Sequence, residues 1–553
     1  MKTQRQYYYG QLIQRMEYNP RLFLILLIWG SVAVFAYQFA LTLTSQHMAA
    51  IMSVAAFFIS VMIVIWPFQG IMLFLGLSIW HYAFVRGSTV MGLGSALVYP
   101  VDLFVVCFLA SEFFRGCTRQ TRLYGPTDRW VLAFLVWTLA CVIRGIPEYK
   151  NSAYGESREF IAAIAYFVTI HCITRSEQAN KAVKWMMWIA IITSLLQVFY
   201  FVFVNQFRPR IVGGGPLAIF GSMNLVVLGV LLGRDHITER MSVLPIAAAL
   251  GCAILGGVLY YVRNYVAEEA TIWVGLPIGV CVIAAAAVIL QYRVAAVVAL
   301  MFQFALVLCS AQRASTMAVL TTIPLLLWIG RRHFMVSLVL LVLSLGIFFG
   351  WLELMNPTLG GKLIPFMEKQ FMAFLNPEMD PNSSWRLYGW RWELSKVFSN
   401  PFWVLIGQGF GGYYEWYFTL TDEVIRTAPH NVYVQLWSKQ GLVGLGLYII
   451  ILISFFKQGF QFLIRSRNEL RRSVMMILML VIFGNVVNQV GGQFVVGSWV
   501  VMAMGTILPR LWLAEQPAAT AAHSSVTPQP HPQRAPIRSS LRTPPLGSQR
   551  SRV

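Results

Sequence analysis

Apolar runs separated by short polar joints make up most of this chain. A helix needs about twenty apolar residues to cross the hydrocarbon of a bilayer. Runs of that order lie near 22–43, 49–67, 70–85, 97–114, 130–146, 159–174, 184–204, 216–232, 243–261, 272–290, 294–310, 314–330, 334–351, 431–456, 473–490 and 494–513. The pattern predicts an all-α polytopic integral membrane protein with about 14–16 transmembrane helices. Between Trp351 and Gly441 the pattern changes to one long, polar, aromatic-rich interval. Loops beyond about 15 residues are usually functional or disordered, and this one carries too many Trp, Tyr and Phe residues for disorder. The expected organisation is an N-terminal segment 1–21, a helical region 22–351, a large outer loop 352–430, C-terminal spans 431–513 and a basic tail 514–553. The loop is read as the roof of an active site with His430 at its inner edge.

Composition agrees with this class. Hydrophobic residues are 58% of the 553 and charged residues 12%, with a mean hydropathy of +0.64, far from a soluble globular balance. A net charge of +20 could indicate nucleic acid, but the basic residues cluster in short loops on one side. Arg115, Arg119, Arg122 and Arg129 share one loop, and Arg175, Lys181 and Lys184 another. Arg331, Arg332 and the stretch from Lys457 to Arg472 follow on the same side as Lys2, Arg5, Arg15 and Arg21. The positive-inside rule makes that side cytoplasmic and turns the long loop outward, with no nucleic-acid partner. Seven cysteines lack metal-ligand spacing, so neither a disulfide framework nor a zinc site is expected. The first apolar run has no small-residue cleavage signal and reads as a retained helix. The tail, rich in Pro, Ser, Ala, Gln and Arg, reads as a disordered cytoplasmic segment.

Two arginines break the topology rule. Arg210, in Arg208-Pro-Arg-Ile-Val-Gly-Gly-Gly215, and Arg313, in Ser310-Ala-Gln-Arg-Ala-Ser315, sit against the outer ends of spans. Arg208 is read as snorkelling to headgroups. Guanidinium binds phosphate through paired, charge-assisted hydrogen bonds, so Arg313 and Arg210 suit a lipid diphosphate whose tail stays in the bilayer. His430 differs from the other histidines by following Pro429, preceding Asn431 and closing the loop at a helix mouth. Imidazole titrates near neutrality and is suited to take a proton from a sugar hydroxyl. Gly407, Gly409 and Gly412 match a dinucleotide fingerprint, but no strand and βαβ unit surround them, and a turn is expected. Glu378 and Asp380 are the nearest approach to an acidic metal motif, and metal-dependent sugar transfer is disfavoured. Asp102, at the start of a helix, reads as an N-cap. Trp385, Arg386, Trp390, Tyr413, Asn431 and Tyr433 are the candidate saccharide and acceptor contacts, against a plain packing role for the aromatics.

These residues together resemble the O-antigen ligase and Wzy-type polymerase superfamily of bacterial envelope enzymes. The similarity runs over roughly 200–450. It rests on Ser384-Trp-Arg through Trp390, Pro401, Gly407-Gln-Gly-Phe-Gly, His430-Asn-Val-Tyr433, Gly441, Gly444 and Arg313 in its Ser-Ala-Gln-Arg-Ala-Ser setting. At Met223-Asn224 the family tends to show Pro-Asn. The resemblance implies an all-helical, metal-independent transferase without cofactor. Its donor would be an undecaprenyl-diphosphate-linked oligosaccharide at the outer leaflet of the inner membrane. Arginines would hold the diphosphate and the loop histidine would deprotonate the acceptor. Membrane lipid, a chain-length regulator and export machinery are the further partners it implies. Polymerase is the first expectation, ligase to lipid A–core or protein the second, and a lipid-linked saccharide transporter or flippase the third.

Overall fold

The computed structural model describes residues 59–78, 91–93, 96–116, 125–183, 185–186, 372, 376, 378, 381–412, 414–418, 422–426, 428, 430–466, 468–491 and 494–524. Helix accounts for 82% of the described residues, which fixes the class as helical. The elements are α1 (Pro67–Ser78), β1 (Met91–Leu93), β2 (Ala96–Val98), α2 (Pro100–Gly116), α3 (Pro126–Tyr149), α4 (Asn151–Ile161) and α5 (Ile164–Cys172). They continue as α6 (Pro381–Phe398), α7 (Pro401–Ile406), β3 (Trp416–Phe418), β4 (Glu423–Ile425), α8 (Val432–Arg465), α9 (Glu469–Asn488) and α10 (Ser498–Ser524). Both strand pairs are antiparallel hairpins, β1 with β2 and β3 with β4. The chain divides into two compact units, Met1–Leu511 and Trp512–Val553. Helix α10 runs to Ser524, past the expected end of the last span at 513.

Among the described residues, α3 and α8 are long and apolar enough to cross a membrane. Helix α3 shows how. Its buried face is Val131, Phe134, Leu135, Thr138, Cys141, Val142 and Gly145. Its exposed face, at Leu132, Val136, Leu139, Ile143 and Ile146, is just as apolar. A surface helix in water carries polar residues on its outer face; a lipid-facing one does not.

Helices α3 and α8 lie antiparallel, and polar groups stitch them along their length. At one end the Thr127 and Ser454 hydroxyls are 2.7 Å apart and Gln458 Nε2 donates to Thr127 Oγ1 at 2.8 Å. Farther along, Thr138 Oγ1 donates to Gln440 Oε1 at 3.3 Å and Trp137 Nε1 to the Gln440 carbonyl at 2.9 Å. Such links between spans are worth about 0.6–2 kcal/mol each.

Helix α8 is broken. Gly441, at φ 69° and ψ −171°, is non-helical inside it. The break separates a short segment, 432–440, from the long apolar remainder, a feature the expected 431–456 span did not contain. The expected 159–174 span is likewise divided, between α4 and α5 at Ala162 and Ala163. Residues 187–351, with the expected spans they hold, lie outside the described residues, as does the span near 22–43. The described part of the 352–430 interval is built of α6, α7 and the β3–β4 hairpin.

Asp102 is corrected in one respect. Helix α2 starts at Pro100, a residue favoured at the first helical position because its missing N–H is not needed there. Asp102 is therefore the third helical residue, and its Oδ2 accepts the Tyr99 N–H at 2.8 Å. It caps from inside the first turn, as the acid of a capping box does.

Candidate active site on a broken helix

The break at Gly441 leaves carbonyls of the preceding turn without helical partners, which must be met elsewhere. They are met by the glycine turn 407–411. Gln408 N donates to Ser438 O at 2.8 Å and Gly409 N to Lys439 O at 3.0 Å, while Trp137 Nε1 donates to Gln440 O. The turn needs left-handed backbone at Gly407, Gly409 and Gly411, with φ of 73°, 92° and 100°, conformations open to glycine at no steric cost. The fingerprint-like spacing therefore serves a turn that plugs a broken helix.

Charge locks the plug in place. Lys439, only 1% exposed, donates from Nζ to Gly412 O at 2.7 Å, sits 3.6 Å from Glu156 Oε2 and lies 4.4 Å from the Tyr414 ring centroid. Glu156, on α4, accepts the Gly411 N–H at 2.6 Å. Arg144 Nη2, near the end of α3, donates to the carbonyls of Ile406 and Gly407 at 2.8 and 2.9 Å. Ser438 Oγ donates to buried Glu393 at 3.1 Å. None of Arg144, Glu156, Glu393 and Lys439 was singled out from the sequence. Lys439 carried a readable signal, since an ammonium inside an apolar run is costly unless paired. Its partner was not readable, being 283 positions away (439 against 156) on another helix.

His430 stands at the free end of segment 432–440. Its backbone lies in the left-handed region at φ 49°, which costs a non-glycine residue about 1–3 kcal/mol and concentrates at functional sites. Asn431 follows as N-cap, its side chain accepting from Tyr433 N at 3.0 Å and Val434 N at 3.1 Å. The His430 ring meets Trp385 edge-on, with centroids 5.6 Å apart and planes at 81°. Trp385 stacks in turn on Trp416 at 6.0 Å and 8°. Trp416 is buried with Tyr414 and Phe418, against which Trp385, Ile425 and Ala428 pack. Helix α6 and the hairpin thus form one aromatic wall beside the half-buried imidazole.

The other candidate contacts divide. Arg386 and Tyr433 tie the wall to the end of α9: Arg386 Nη1 donates to Gly491 O at 3.0 Å and Tyr433 Oη to Val486 O at 2.8 Å, while Val432 N donates to Gln489 O at 3.0 Å. A guanidinium is favourable at a helix C-terminus because it complements the dipole and the last carbonyls. Trp390 is half-buried on α6. Tyr413, Arg313 and Arg210 lie outside the described residues. Glu378 is engaged by Arg391 at 2.7 Å on an exposed surface.

A second polar cluster lies on the α2–α4 side. Asp102 Oδ1 is 2.8 Å from Arg158 Nε, and the Arg158 guanidinium covers the Tyr99 ring at 4.1 Å. Tyr154 Oη donates to Asp102 at 3.2 Å. Burial and then the Asp102 carboxylate raise the Tyr154 phenol above its ordinary value, so it remains a donor. At the opposite end of the bundle Arg510 forks onto Asp128 at 2.8 and 3.1 Å, and Tyr166 Oη donates to the same carboxylate at 2.8 Å. His171, read as a helix-end residue, meets Glu112 at 2.5 Å.

Fold and site together define a helical membrane protein with a histidine on an aromatic wall at the mouth of an interrupted span. Comparison is narrower: residues 296–449 match the family model described as O-antigen ligase. The matched interval takes in Arg313, the aromatic wall, the glycine turn and His430; it begins later than residue 200 and leaves Arg210 outside. No curated protein and no solved structure matches the chain. The family implies a glycosyltransferase-like enzyme, of ligase or polymerase type, acting on lipid-linked saccharides. Family and apolar helices together point to an integral membrane protein.

Proposed function

We propose that the chain is an inverting, metal-independent glycosyltransferase of the bacterial inner membrane, with its site on the periplasmic face. It polymerises saccharide units carried on undecaprenyl diphosphate. The observation that carries this reading is His430 itself: a strained, left-handed histidine, oriented by Trp385, where the aromatic wall meets a broken span. An acceptor hydroxyl held there loses its proton to the imidazole as its oxygen bonds to the anomeric carbon. The bond from that carbon to the diphosphate breaks, and its electron pair leaves with the lipid diphosphate. Arg313, together with Arg210, offsets the charge that develops on the leaving group, where preorganised cations are worth most. Half-buried Trp385, backed by the buried Trp416, offers an apolar ring to a sugar.

Ligation to lipid A–core or protein is the second reading, favoured by the description of the matching family. Transport without chemistry gains less support, because the acids of the buried ion pairs Asp102–Arg158 and Asp128–Arg510 lie in the first turns of their helices rather than in mid-span.

Purified protein in liposomes with a synthetic undecaprenyl-diphosphate oligosaccharide tests the proposal. Growth of the lipid-linked chain with release of undecaprenyl diphosphate supports polymerase; product formed only when lipid A–core is added supports ligase. His430→Ala should lose about 10²–10⁴ in turnover with donor binding little changed. Undiminished turnover in that variant would refute the base, and EDTA inhibition reversed by a divalent ion would refute the metal-independent mechanism.

A further inference from the structure

Helix α7 is six residues long, Pro-Phe-Trp-Val-Leu-Ile, and none of its side chains is buried. Phe402 is 65% exposed and Leu405 56%; Phe398, at the end of α6 beside it, is 57% exposed. The helix is nonetheless firmly held. Asn400 Oδ1 accepts the Phe402 N–H at 2.9 Å, and Trp437 Nε1 of α8 donates to Val404 O at 3.3 Å. Trp437 also meets Phe398 edge-on at 5.3 Å. A rigid element that turns its largest apolar groups outward is made to meet something apolar.

The height of α7 along the bundle says what. On α8 the residues between Lys439 and Lys457 are uncharged, 17 of them at 440–456, or roughly 26 Å at 1.5 Å per residue. On α3 the interval from Arg129 to Arg144 is uncharged as well. Both fit within a hydrocarbon core of about 30 Å whose edges are marked by long basic side chains. Helix α7 sits at one such edge: Arg144 binds its last carbonyl, and its Leu405–Ile406 backbone packs on Gly441, two residues after Lys439. From that edge the exposed side of α8 continues as Leu442, Ile449, Ile453, Phe460 and Ile464, spacings that keep one helical face.

We infer that α7, with Phe398, is an interfacial anchor that inserts into the outer-leaflet boundary between headgroups and acyl chains. Phospholipid is its partner. Aromatic residues concentrate at that depth because one side of the ring is wet and the other apolar. Because the Gly407–Gly412 turn follows α7 directly, the anchor sets the height of the His430 wall over the membrane. The inference rests on the membrane reading above.

Single cysteines at Phe402, Leu405, Glu423 and Ile453, each placed in a cysteine-free parent and labelled with bimane, test it in phosphatidylcholine vesicles. Labels at Phe402→Cys and Leu405→Cys should lose most of their emission to a nitroxide near the headgroup and little to aqueous iodide. The exposed hairpin position Glu423→Cys should do the reverse, and Ile453→Cys should respond best to a nitroxide deep in the acyl chain. Iodide quenching at 402 and 405 equal to that at 423, with 453 still quenched by lipid, would overturn the anchor while leaving the membrane reading standing. Iodide quenching at 453 would overturn both.

Discussion

Gly407 and Gly441 cross backbone to backbone at the break in α8. A Cβ on Gly407 would lie 2.4 Å from the carbonyl carbon of Lys439, and one on Gly441 would lie 2.2 Å from the Leu405 carbonyl oxygen. Main chain cannot swing aside as a flexible side chain can, so each position excludes any larger residue. The crossing is what lets the 407–412 turn satisfy the carbonyls freed by the break.

Gly441→Ala should therefore destabilise by about 2–5 kcal/mol, adding the cost of left-handed backbone to that of overpacking. Gly446 provides the comparison, since a Cβ there would meet nothing within 4 Å and its setting is ordinary helix. Gly446→Ala should be neutral or stabilising by up to about 1 kcal/mol. Thermal unfolding of the two variants in detergent should separate them clearly; equal stability would show that the crossing is slack.

Lys439 and Glu156 should behave as a unit. Removing one partner leaves a buried charge uncompensated, a loss of about 3–5 kcal/mol. Lys439→Met and Glu156→Gln should each lower the apparent Tm, and the double variant should recover part of the sum. A thermal-shift double-mutant cycle measures this coupling, and a coupling of zero would show that the pair is incidental.

Arg313 is expected to bind diphosphate through a planar fork. Arg313→Ala should abolish product in the liposome assay, and Arg313→Lys should restore little, because an ammonium cannot reproduce two parallel contacts. Full activity in the lysine form would reduce the role to charge alone.

Topology is open to labelling in intact cells. A membrane-impermeant maleimide should reach a cysteine at Glu423 and miss one at Arg465, both exposed positions at opposite ends of the bundle. The reverse pattern would place the His430 wall in the cytoplasm.

Several features were legible in the amino-acid order alone because they depend only on neighbours along the chain. Apolar periodicity marked α3, α8, α9 and α10 to within a few residues at most of their ends. The Pro429-His430-Asn431 sequence marked a helix mouth, and Asn431 caps it as its residue type requires. The glycines at 407 and 409 announced a turn, since left-handed backbone is a property of the residue itself. The family resemblance was carried by the same local words. Tertiary structure decided the rest, because it depends on groups far apart in sequence. The break at Gly441 could not be read from the order of residues in 431–456; it exists because the 407–411 turn and Trp137 supply the hydrogen bonds that the helix gives up. Lys439 is buried only because Glu156 and the Gly412 carbonyl converge on it. Arg386 and Tyr433, which the sequence offers equally as saccharide contacts, have polar atoms committed to the end of α9, a choice made by packing between helices and invisible to spacing along one of them.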